Sequence, residues 1–286
     1  MKKELISEVG VRSHYKFEFQ SMGEFIKYLR DNDSTPKSYS NEYEKECTNL
    51  RYAWYGSRNL DDAIETCETG WTEKAKKLTT KIKTYSTTSD FAKYQKRFID
   101  QAGFQPIVPL YLAGMPNNMM NSKFEQKKQK IITITKSVGY RGEVTVQQIE
   151  EESLKTLSIV KMLESKGYRV NLNVCNTWRA CRNTITLKIN IKKANEKLNI
   201  SKIAFPLTHP SMMRRLIFRF REIIPEHDSS DGGGSMYDKQ SNIAAIDPKK
   251  EIFIPSFMDL SMNEIKDLKD LESGYTVSDF RRKFKV

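Results

Sequence analysis

Residues 130–175 constrain the fold more tightly than any other stretch of the chain. Lys130-Ile-Ile-Thr-Ile-Thr-Lys136 reads as a strand, with Ser137-Val-Gly-Tyr-Arg-Gly142 as its turn. From about Thr145 to Lys166 the residues Val146, Ile149, Ser153, Leu157, Val160 and Leu163 recur at spacings of three and four. That period gives a long helix with a single buried stripe. Thr145 and Gln148 form a capping box at its start and Gly167 ends it. Tyr168-Arg-Val-Asn-Leu-Asn-Val-Cys175 then begins a second strand. A strand, a crossover helix and a strand pack right-handed and parallel, so the fold class is α/β (or α+β) with a partly parallel sheet.

Other elements attach to this unit. Thr184-Ile-Thr-Leu-Lys-Ile-Asn-Ile191 alternates cleanly and is expected to run antiparallel to its predecessor at a sheet edge. Thr208 to Glu222 is an arginine-dense helix expected to cover one sheet face, and Glu251-Ile-Phe-Ile254 supplies a late strand. The first 120 residues read as mostly helical. Tyr15 to Phe19 alternates as a strand would, and Ser21 to Glu24 is a capping box leading into Phe25, Ile26 and Leu29. Helices are expected from Asn59 to Gly70 and from Thr72 to Lys83. Ile107 to Pro116 packs an apolar helical turn against a Gly/Pro break, with Met119 and Met120 just after it as core fillers or, alternatively, a binding patch. Lys123 to Lys130 is a charged spacer. The expected organisation is a mostly helical region over 1–122, an α/β core over 130–260, and a C-terminal helix and basic tail over 261–286.

The 286 residues include 48 Lys+Arg against 36 Asp+Glu, a net charge of +12. Such a surplus favours an anionic partner, either nucleic acid or an acidic host or phage protein. No run approaches the roughly 18 consecutive apolar residues of a membrane span, so no membrane partner is expected. The N-terminal Met-Lys-Lys-Glu-Leu-Ile lacks the apolar core of a secretory signal, which points to a cytoplasm. Cys47, Cys67, Cys175 and Cys181 are irregularly spaced, as reduced thiols are. Cys175 and Cys181 with His209 or His227 lack paired metal-ligand spacing, so neither metal nor cofactor is expected.

The candidate binding residues are Arg214, Arg215, Arg219 and Arg221. On a helix Arg214 and Arg221 lie near one side and Arg215 and Arg219 on another, flanking a seam of Met213, Leu216 and Phe220. Guanidinium forks on two exposed rims would grip phosphate or carboxylate bidentately. The competing arrangement pairs them internally with Glu222, Glu226, Asp228 and Asp231. Arg281, Arg282 and Lys283 of the tail extend the basic surface, and Gly232, Gly233 and Gly234 form a flexible loop or arm. Trp54 and Tyr55 stand among basic residues, an arrangement suited to stacking on bases or to core packing. The three histidines, His14, His209 and His227, assemble no triad, and His209 before Pro210 suits a structural role at a helix start. Asp61-Asp62 and Glu150-Glu151-Glu152 lie near helix N-termini, where the macrodipole accounts for them. The residues therefore describe a binding protein rather than an enzyme.

Two resemblances accompany these residues. The strand, Ser/Gly loop and long helix at 131–166, followed by a strand after Ser165-Lys-Gly-Tyr-Arg-Val-Asn-Leu172, resemble a von Willebrand A-like domain. The metal motif of that family begins with an aspartate; here Thr133-Ile-Thr-Lys-Ser-Val-Gly139 stands in its place, so a fold of this type would have lost its metal site. Over residues 50–257 the chain also resembles an uncharacterised family common in tailed bacteriophages. The likeness rests on the segments 55–71 (YGSRNLDDAIETCETGW), 108–120 (VPLYLAGMPNNMM) and 209–222 (HPSMMRRLIFRFRE). It implies a phage-encoded accessory protein in the cytoplasm of an infected bacterium, or one carried in the virion, with no catalytic residue to transfer. The leading expectation is binding of nucleic acid or a nucleic-acid-handling complex. The alternatives are a homo-oligomeric inhibitor of a host defence or replication enzyme, with the Met/aromatic segment as its contact surface, and a virion or assembly component.

Overall fold

A computed structural model describes residues 1–9, 12–32, 54–81, 94–125, 131–140, 144–165, 168–180, 183–227 and 251–254. The Gly232–Gly234 loop, the helix expected at 263–271, and Arg281, Arg282 and Lys283 lie outside these residues, as do Cys47 and Cys181.

The chain opens with a hairpin of β1 (Lys2–Val9) and β2 (Arg12–Phe19). Helices α1 (Met22–Asp31), α2 (Leu60–Thr69) and α3 (Thr72–Lys81) follow. Next come β3 (Tyr94–Asp100), β4 (Gln105–Pro106), α4 (Val108–Leu112) and β5 (Met119–Glu125). The βαβ unit is β6 (Ile131–Ser137), α5 (Val146–Ser165) and β7 (Arg169–Ala180). After β8 (Asn183–Lys192) and α6 (Ile200–Thr208), a π-helical turn (Met212–Ile217) runs into α7 (Phe218–Ile223), and β9 (Glu251–Ile254) closes the set.

Local chemistry sets most helix ends. The Ser21 hydroxyl accepts from Glu24 N–H, and the Glu24 carboxylate reaches back to Gln20 N–H. Asn59 caps α2 through Asp62 N–H, and Gly70 ends it at φ +83, in the left-handed region that favours glycine.

The main sheet has six strands in the order β1-β2-β8-β7-β6-β9. The pairs β2/β8, β7/β6 and β6/β9 are parallel, while β1/β2 and β7/β8 are antiparallel. This mixed, mostly parallel sheet with covering helices is the expected α/β architecture. Two expectations change. The first 122 residues contribute five strands as well as helices, and β1 and β2 enter the same sheet as the βαβ unit. Also β8 is an interior strand, because β2 pairs alongside it from Ser13↔Asn183 to Phe19↔Ile189. That pairing joins residues about 170 positions apart, which no local periodicity reports.

The two faces of the sheet differ. One is apolar: Phe17 and Phe19 of β2, Ile185, Leu187 and Ile189 of β8, Val170, Leu172 and Val174 of β7, Ile132 and Ile134 of β6, and Ile252 and Ile254 of β9. Onto it pack α1 through Phe25, which meets the Phe19 ring, and α7 through Phe220, which meets Phe17 edge-on at 5.3 Å. α5 joins α6 through the buried Ser153 hydroxyl, which donates to Leu207 O at 2.6 Å. α2 and α3 lie over α6 and the π turn as an outer layer. The opposite face is polar. His14, Thr186 and Thr177 form one hydrogen-bonded row across β2, β8 and β7. Lys188 pairs with Glu251, Glu251 accepts from Thr135, and Thr135 accepts from Asn173.

Residues 94–125 form a second, small sheet, β3-β5-β4, in which β5 pairs antiparallel with both neighbours. Among the described residues no helix is long and apolar enough to cross a membrane.

Candidate functional site

The arginine row sits in the middle layer of the molecule. From Ile203 to Ile217 every residue is buried, since the sheet lies on one side and α2 and α3 on the other. Arg214, Arg215, Arg219 and Arg221 are 2%, 0%, 0% and 4% exposed. The expected outward rims are therefore not formed: a helix walled on both sides has no solvent-facing flank, whatever its charge. The segment also departs from α-geometry. The wider i→i+5 turn over Met212–Ile217 shifts Arg219 and Arg221 relative to the α-helical positions expected for them.

Each guanidinium finds a different solution. Arg214 stacks on Trp54 at 4.4 Å and donates to the carbonyls of Trp54 and Val144. Arg215 stacks on Tyr55 at 3.8 Å and donates to the carbonyls of Ser57 and Arg58. Arg219 pairs with Glu222 at 3.2 Å and donates to Asn32 O at the end of α1. These three tie the carbonyl-bearing ends of the loop before α2, the loop before α5 and helix α1 onto one axis. Of the acidic partners expected from sequence, Glu222 alone is engaged among the described residues, while Glu226 pairs with Lys3 instead. Arg221 lies against Trp178 at 4.6 Å and Phe218 at 5.1 Å. Burial pushes its pKa down to about 9 and that of Arg214 to about 10.

His209 is structural. Its ring stacks on Phe205 at 4.7 Å, meets Trp71 edge-on, and accepts at Nδ1 from Ser211 N–H. Burial depresses its pKa from 6.5 to about 4, against a small opposing pull from Asp62. Lys136, in the stretch compared with a metal motif, directs its buried ammonium to Glu152 of α5 at 3.0 Å. Among the described residues no three His, Cys, Asp or Glu side chains gather as a metal group.

The surface feature that stands out is apolar. Phe98, Ile99, Phe104, Val108, Tyr111, Leu112 and Met115 are all exposed, Tyr111 to 65% and Leu112 to 78%. Val108, Tyr111 and Leu112 lie three and four apart, so one whole face of α4 looks into solvent. Phe98 and Ile99 are adjacent on β3 and point to opposite faces, and both are exposed, so the small sheet is open on both sides. Sequence reasoning favoured core filling for Met119 and Met120 and gave the Met/aromatic segment as a contact surface only in its alternative reading. Met119 and Met120 are indeed half-buried in β5, but the loop and α4 are not. The missed signal was charge: from Gln101 to Ser122 the chain has 22 consecutive residues without Asp, Glu, Lys or Arg. The segment is thus exposed, free of charge over 101–122, and apolar on a face that no described residue covers.

No curated protein and no solved structure matches the chain. A family model does, over residues 3–284, and by that match the chain belongs to the family described as a domain of unknown function, DUF7192.

Proposed function

We propose that this protein is a non-enzymatic binding protein that acts as a homo-oligomer, and that two copies meet through the apolar tip formed by residues 98–115. The carrying observation is the exposed, uncharged face of α4 with Phe98, Ile99, Phe104 and Met115 around it. At 150–250 Å² per large side chain, about half exposed, the six of these residues that can share one face, since Phe98 and Ile99 point opposite ways, offer on the order of 600 Å². A standard interface buries about 800 Å² per partner. Charge argues for a second copy as the occupant. A chain of net charge +12 repels itself over most of its surface, and the tip, whose only charged residue is Asp100, is where two identical copies meet with the least burial of like charge.

Nucleic-acid binding loses its four central arginines, because their donors point into the protein. Removing them from 48 basic residues leaves 44 against 36 acidic ones, still +8, a surplus shared among surface lysines such as Lys76 and Lys77 of α3. Among the described residues that is diffuse attraction without an organised site.

Sedimentation analysis of the full chain and of a Tyr111→Glu/Leu112→Glu variant tests the proposal. Both substituted positions are exposed, so the variant should fold normally. The expected result is a wild-type dimer or higher oligomer that is insensitive to salt and a variant that is monomeric. A monomeric wild type at tens of micromolar would overturn the proposal. So would an oligomer unchanged by the two glutamates.

A further inference from the structure

β7 breaks its own pattern at one place. Its helix-facing side chains run Val170, Leu172, Val174, Asn176, Trp178 and Ala180, an amide among apolar residues. Asn176 is wholly buried, and neither its Nδ2 nor its Oδ1 has a hydrogen-bond partner among the described residues. Two residues on, about 7 Å along the same face, the buried Trp178 Nε1 is a donor without an acceptor among them. Over that indole lies the Arg221 guanidinium, whose buried Nε and Nη2 likewise meet no acceptor among the described residues. Nε–H and Nη2–H share one edge of the fork, the edge that takes two oxygens of a carboxylate or phosphate in parallel bonds. Trp178 and Phe218 hold the plane of that fork by stacking.

The contrast within the row is informative. Arg214 and Arg215 close on backbone carbonyls and Arg219 on a carboxylate, whereas Arg221 meets no acid among the described residues. Three donor-bearing side chains with unmade bonds therefore cluster at one end of the sheet. That end is the one where ligands settle in α/β folds. The last β6–β7 pair is Ser137↔Cys175, so Asn176 and Trp178 lie beyond the carboxyl end of β6. The π turn of Met212–Ile217, a geometry frequent at functional sites, leads directly into the short helix that carries Arg221. A guanidinium kept for stacking alone would leave the buried amide of Asn176 without a purpose.

We infer that Arg221, Asn176 and Trp178 form a closed binding site for a small oxyanion of the phosphate or carboxylate class. The anion supplies the counter-charge that no described acidic residue gives Arg221. The two nitrogens of Arg221 grip two of its oxygens, and the Asn176 amide and Trp178 indole donate from the strand.

The test uses the full chain dialysed into chloride buffer free of oxyanions. Its unfolding midpoint is titrated with inorganic phosphate and, separately, with acetate, at constant ionic strength. A ligand that binds the folded state raises the midpoint with the logarithm of its concentration. The expected result is such a rise in the wild type with at least one anion, and none in Arg221→Met, which keeps the stacked volume without the charge. Arg221→Lys keeps the charge but loses the fork and should bind about tenfold more weakly; it covers the case in which the Met variant does not fold. A rise with phosphate alone or with acetate alone supports the site and identifies its ligand class. A wild-type midpoint flat to tens of millimolar of both anions overturns it. Equal rises in wild type and the Arg221 variants also overturn it.

Discussion

At the scale of single residues, this protein places charge where apolar side chains usually sit. The Lys136–Glu152 pair joins β6 to α5 with its ammonium 2% and its carboxylate side chain 9% exposed. Removing one partner leaves a buried charge alone, so Glu152→Ala should lower stability by about 3–5 kcal/mol in denaturant unfolding. The double variant Lys136→Met/Glu152→Leu should recover most of that loss, since a well-packed apolar pair often matches a buried ion pair. A double variant as unstable as the single one would show that the pair contributes beyond its own charges. His209 gives a pH signature. Its folded pKa, about 4, lies below the unfolded 6.5, so the unfolded chain binds more protons between these values. Stability is then complete above pH 6.5 and falls as pH drops toward 4, by about 3 kcal/mol at 1.36 kcal/mol per pH unit. His209→Gln should flatten that part of the stability profile. The role of these residues was only half legible in the sequence. Arginine density announced that the 212–221 segment meets oxygen atoms, but it could not say whose. The clue lay beside it: from Ile203 to Leu207 the chain is apolar without interruption, and a turn of helix apolar all round has to be enclosed.

At the scale of elements, legibility follows sequence distance. The βαβ unit was readable because the stripe on α5, its Thr145–Gln148 cap and its alternating flanks are all local. The same holds for α2. Asn59→Ala, which removes its cap, should cost about 1 kcal/mol. Gly70→Ala should cost about 1–2 kcal/mol, because φ is +83 there and the added carbon would press on Ser201 O at 3.2 Å. Thermal unfolding of both variants checks this, and no change for Gly70→Ala would show that the α2–α6 junction relaxes freely. Strand β1 was not readable. Lys2-Lys-Glu-Leu-Ile-Ser-Glu-Val9 is an edge strand with little buried surface, and its ladder comes entirely from β2. The small sheet over 94–125 escaped for a related reason: its exposed apolar residues show no alternation, because neither of its faces is covered.

At the scale of the whole molecule, the sheet unites the two ends of the described chain. Phe17 and Phe19 enter the core against Phe220, and Ile252 and Ile254 close it at the far edge. Deleting residues 1–20 should therefore strip β8 of its neighbour and abolish cooperative unfolding, not merely trim a terminus; a truncated chain that still melts in one sharp transition would contradict this. Pairing across such a distance also has a temporal side. Tyr15 must find Ile185, which a ribosome adds 170 residues later. At about 5–20 residues per second, the first hairpin waits on the order of ten seconds for its permanent neighbour. Throughout that wait the phenylalanines on one side of β2 have no core to enter, so this hairpin is a segment that needs shelter while the residues that cover it are being synthesised.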